Sequence, residues 1–132
     1  MINKVSEFIA QHEQQTFRYG KSDCVLFGVA AAKHIWQIDV SKEVGHWASK
    51  KEAAQAVSAF KGGLLGAART VMAKTSMKAV SGPLLRCGDI VMVDMKDRVA
   101  VGLMENAADI VVLGASGLLR VPRQFAIIGW RG

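Results

Sequence analysis

The chain has 132 residues, 51% of them hydrophobic and 21% charged. That mix excludes a disordered chain and fits a single domain of residues 1–132, within the usual ~100–200. Its two cysteines, Cys24 and Cys87, lie far apart and form no CxxC pair, which excludes a disulfide scaffold and fits a reducing compartment. The net charge is +6, unevenly placed: Ala53–Gly88 holds five cations and no acid, and Ile110–Gly132 holds Arg120, Arg123 and Arg131 and no acid. Solubility is the plainer reading of this charge, and docking of an acidic protein partner is the alternative that its uneven placement offers. Nucleic acid is not expected, because the longest basic run is Lys50-Lys51 and no aromatic residues alternate with the cations. Lys4, Glu7, His12 and Glu13 interrupt any leader-like apolar stretch at the start, and no run approaches the ~20 apolar residues of a membrane helix. Synthesis in a cytoplasm without membrane insertion is the expectation.

In chain order, Val5, Phe8, Ile9 and His12 recur at helical spacing and predict an amphipathic helix over about Ile2–Gln14. Ser22 or Asp23 can cap a second helix running to about Trp36, with Phe27, Ala31 and Ile35 on its inner face. Ser49-Lys50-Lys51-Glu52 has the capping-box pattern and opens a third helix to about Phe60. Lys61-Gly62-Gly63 ends it, and Leu64, Leu65, Ala68, Val71 and Met72 predict a fourth. After Ser81-Gly82-Pro83 the pattern becomes short β-branched runs: Ile90–Val93, Val99–Leu103, Ile110–Leu113, Leu118–Val121 and Ala126–Trp130. Turn formers separate them, so an antiparallel meander of about five strands is expected. Helices first and strands second predict an α+β fold.

Cys24 is the residue with the most chemistry to offer. It lies just inside the predicted N-terminus of the second helix, where free amides and the helix field favour a thiolate. A small buried residue at a helix start is the plainer alternative. Of the histidines, His34 is ten residues further along the same helix, ~15 Å away by helical rise, and His12 sits on the first helix. His46, beside Trp47, is the one that a loop could fold back over Cys24. The cysteines and histidines show no zinc spacing, and Gly62-Gly63…Gly66 lacks the Gly-Lys-Ser/Thr of a phosphate loop, so no metal or cofactor is expected. The methionines read as core filler.

Several short segments, in order, resemble one family. Phe17-Arg18-Tyr19-Gly20-Lys21-Ser22-Asp23-Cys24 resembles the Tyr-Gly…Asp-Cys entry of NlpC-type hydrolases, papain-like enzymes of the cell wall. Cys87-Gly88-Asp89-Ile90-Val91 resembles the Gly-Asp start of their first core strand, and Ala100-Val101-Gly102-Leu103 lies where they carry His-Val-Gly-Ile. Gly117-Leu118-Leu119-Arg120-Val121-Pro122 and Gly129-Trp130-Arg131 resemble the ending of small NlpC-like proteins of phage tail modules. The resemblance implies Cys24 at the nucleophile position, with Ala100 where the activating histidine belongs and apolar residues near Val112 where its orienting partner belongs. The implied protein is a degenerate NlpC-like, papain-like body serving as a structural part of a phage tail tip or baseplate hub. It would assemble in the host cytoplasm, reside in the virion and bind other tail proteins, with Arg120 and Arg123 as candidate contacts. The implied alternative is an active cysteine peptidase or amidase cleaving peptidoglycan stem peptides during entry. A bacterial adaptor unrelated to phage is a third reading.

Overall fold

Residues 1–18, 23–44, 47–58 and 60–132 are described by a computed structural model. The order is helices first, then strands. Helix α1 covers Ile2–His12, α2 Cys24–Trp36, α3 Lys50–Ser58 and α4 Gly63–Ala73. Strands β1 (Lys78–Ser81), β2 (Ile90–Asp94), β3 (Val99–Met104), β4 (Asp109–Gly114), β5 (Gly117–Pro122) and β6 (Ala126–Arg131) follow. They form one antiparallel sheet in the order β1-β6-β2-β3-β4-β5. This is the α+β fold expected, with two differences. A sixth strand, β1, precedes the five, and β6 does not continue the meander: it returns to pair with β2. A 3-10 turn over Arg123–Phe125 turns the chain away from β5 and sends it there.

Helix α2 lies against the middle of the sheet because its sequence is apolar nearly all round. Phe27, Ala31 and Ile35 are at most 2% exposed, and Gly28 faces β3. A side chain at Gly28 would begin 2.5 Å from Val101 Cγ1, so only glycine allows this approach of helix to strand. Burying Phe27 and Ile35 contributes ~1.5–3 kcal/mol each. The helix is also tied at its far end, where Trp36 Nε1 donates to Gly88 O at 2.8 Å. Helix α1 adds a layer: Phe8 packs on Phe27 at 5.2 Å between ring centroids, and His12 stacks on Phe8 at 4.1 Å.

The expected Gly88-Asp89 entry to the first core strand has a structural explanation. Gly88 takes φ +97°, which a side chain would strain. Asp89, fully buried, receives Arg131 Nε at 2.8 Å and a second Arg131 nitrogen at 2.7 Å, and the Arg86 amide at 2.9 Å. This bidentate pair clamps the last strand to the start of β2. No described helix is long and apolar enough to cross a membrane.

Candidate functional site

The site expected from the sequence is the start of α2. Asp23 caps the helix: one carboxylate oxygen accepts the Leu26 amide at 2.9 Å. Its other oxygen accepts Trp47 Nε1 at 2.6 Å, so this carboxylate, 2% exposed, is satisfied on both sides. Of the two caps expected, Ser22 lies outside the described residues.

Cys24 follows at the first helical position and is 9% exposed. Burial is the strongest influence on its thiol and pushes its pKa up. The backbone of Val101 opposes this by hydrogen bonding, Asp23 adds to it, and Arg98 and the cysteine's own backbone oppose it weakly. The balance is a pKa raised above the ordinary thiol value. A nucleophile needs the opposite shift, from a paired imidazole or a strongly positive surrounding.

The described neighbours supply no imidazole, and the one cation that acts on Cys24, Arg98, does so weakly. The residue that reaches Cys24 from β3 is Val101, through its backbone. Ala100, 2% exposed, pairs with Val93 in β2 and carries only a methyl group. Val112, expected close to Cys24, pairs with Gly102 and belongs to a separate apolar cluster with Val91, Val93, Met104 and Ile110, whereas Cys24 packs in the cluster around α2. Strand alternation gives the reason: Val111 and Leu113 turn to the α2 side and Val112 to the other. His12 bonds Phe8 O through Nδ1 at 2.8 Å, and His34 stands 3.8 Å from Glu7, so both are engaged around α1. His46 lies outside the described residues. Cys87, half-buried, approaches Glu105 O at 3.2 Å, and burial raises its pKa too. Among the described residues no group of three metal-ligating side chains is assembled.

Both arginines expected to contact a partner are engaged within the chain. Arg120 bonds Glu13 at 3.0 Å and Glu105 at 3.1 Å, and those hydrogen bonds hold its pKa above the usual value. Arg123 donates to Ala107 O at 2.9 Å, Gly82 O at 2.9 Å and Leu85 O at 3.0 Å. It ties the β3–β4 turn and the turn before β2 to its own corner. The acid-free stretch still presents Lys61, Arg69, Lys78 and Arg86, all exposed and in no ion pair with another described residue. Sequence reasoning missed Trp47 as the partner of Asp23. Twenty-four residues separate the two, and no local pattern links them.

The sequence matches, over residues 2–132, the family described as Domain of unknown function (DUF6950), and the chain belongs to that family. A comparison with curated proteins finds none that matches.

Proposed function

We propose that this DUF6950 member keeps a papain-like, NlpC-type layout without its catalysis, and works as a docking part of a phage tail tip or baseplate hub. One observation carries the non-catalytic reading: Cys24 is buried as a thiol of raised pKa against the backbone of Val101, with no described histidine beside it. The tail setting, and residence in the virion, rest on the resemblance of Gly117–Pro122 and Gly129–Arg131 to small tail-module proteins. The exposed cations Lys61, Arg69, Lys78 and Arg86 support an acidic surface on the partner, which they would steer and orient more than bind tightly.

The test is a pair of variants in a phage that encodes this protein. Cys24→Ala should give normal particles and normal infection. Charge reversal at Arg69 and Lys78 should lower the amount of this protein in tails. Cys24→Ala particles that assemble normally yet fail to breach the wall would replace this reading with a peptidase acting on peptidoglycan stem peptides. His46→Ala would then be the next change.

A further inference from the structure

The α2 side of the sheet is not filled. Helix α3 has no buried residue, although Ala56 and Val57 turn inward and are half-shielded. They look across an apolar void that holds about 120 Å³ of space and opens to solvent at its mouth. Its floor is deep in the molecule: Met92 is 1%, Ile90 4%, Trp130 5% and Val101 8% exposed. One wall is α2, with Ala32 at 1%, and the roof comes from α3 and from Leu64, Ala68 and Val71 of α4. The single charged residue on the wall, among the described residues, is Glu43. It is exposed and stands 3.9 Å from Lys74, which marks the mouth.

We infer that this void is a binding site for an unbranched alkyl chain. Protein interiors are close-packed, and an apolar gap of this size leaves its lining without contact partners. Among the described residues the floor's one side-chain hydrogen-bonding group is the Trp130 indole N–H, so a sugar, a nucleotide or a peptide backbone placed there would leave most of its polar groups unpaired. A protein partner or a second copy of this chain would reach the rim only, because α3 and α4 roof the buried floor. A slender hydrocarbon lying in the void would touch residues of both. Its polar end would stay at the mouth, beside Glu43 and Lys74. The site is separate from the Cys24 reading and does not depend on it.

The experiment uses the full chain and a series of 1-alkanols from hexanol to decanol. Binding is read by calorimetry and by the fluorescence of Trp47 and Trp130, which line the void. Affinity should rise about fourfold per added methylene, the factor that ~0.8 kcal/mol of transfer free energy gives. Ala68→Phe and Ala56→Phe fill the space from different helices. In either variant, once circular dichroism shows it folded, alkanol affinity should fall tenfold or more and the melting temperature should rise. Vesicles of phosphatidylglycerol separate the two sources of such a chain. Co-sedimentation marks a membrane lipid, and alkanol binding without it marks a free amphiphile; both support the site. Absence of alkanol binding, or affinity independent of chain length, would overturn the inference on the wild-type protein alone. Unchanged affinity in both folded variants would overturn the location.

Discussion

The two faces of the sheet are closed by different means. On the face away from α2, Val91, Val93, Met104, Ile110 and Val112 are at most 1% exposed, and no α-helix contributes to their cluster. Short turns cover them instead, bringing Leu85 and Phe125 inward, and Arg123 holds those turns through three carbonyls. The other face is covered by helices, with α2 seated down to Gly28 while α3 stands off. A face sealed by loops depends on a few polar ties of defined geometry, since loops carry little apolar surface of their own. A face sealed by helices depends on apolar fit, and there the fit is tight at one helix and incomplete at its neighbours.

The strongest test of this contrast is the Asp89–Arg131 clamp, which ties the ends of two central strands, β2 and β6, beneath both faces. Asp89→Ala removes a fully buried carboxylate and leaves Arg131 and the Arg86 amide without their acceptor. Breaking a buried pair costs ~3–5 kcal/mol, and with Arg131 21% exposed the loss should be near the lower figure, about 3 kcal/mol in urea unfolding. A loss under ~1 kcal/mol would show that the strands hold β6 without the clamp.

Next in size is Arg123. Arg123→Ala should cost about 2 kcal/mol, because three charge-assisted bonds to carbonyls disappear. Arg123→Lys separates a structural tie from a docking charge. A lysine keeps the charge but not the planar fork, so it should still lose about 1 kcal/mol. Partner binding that followed charge alone would be untouched by it.

Much of this architecture is legible in the sequence, and the rest is hidden for identifiable reasons. Helical spacing locates α1, α2 and α4 within a few residues, and the Ser49–Glu52 capping box forms, with the Glu52 amide on Ser49 Oγ at 3.2 Å and the Glu52 carboxylate on the Ala48 amide at 2.7 Å. Asp23 as cap and Cys24 as first helical residue follow from local pattern alone. Strand β1 does not, because Lys-Ala-Val-Ser buries one residue in four and becomes a strand only by pairing with β6. Which residue of β3 reaches Cys24, and which face Val112 takes, depend on register, and a shift of one residue reverses every face. The bond from Trp47 to Asp23 and the void under α3 join segments distant in sequence, and no periodicity encodes a distance between two elements.

The Trp47–Asp23 bond is also where the two ways of closing a face meet, since it pins the segment before α3 to the start of α2. Trp47→Phe keeps most of the ring and removes the donor. Asp23 would retain Leu26 and lose the short bond from the indole, at a cost of about 1 kcal/mol. The loss should be accompanied by faster amide exchange in α3, which has little else holding it. Exchange unchanged in α3 would mean that contacts with α4 alone fix that helix.

The smallest expected effect concerns Cys24, and it bears most directly on function. Its folded pKa is raised above that of an unfolded thiol, chiefly by burial. The protonated form is therefore the one the fold favours. The contribution to stability is fully present below the unfolded thiol's pKa and is lost as pH rises through the folded value. Stability measured against Cys24→Ala should be constant at neutral pH, with the small difference shrinking only in alkaline solution. Alkylation by iodoacetamide should behave in parallel. Cys87, half-buried, should react first, and Cys24 should react slowly until the pH exceeds the ordinary thiol range. A catalytic thiolate gives the reverse order, with Cys24 modified rapidly near pH 5 while Cys87 stays intact. That result would require a base close to Cys24, and it would turn the start of α2 from a well-capped helix end back into an active site.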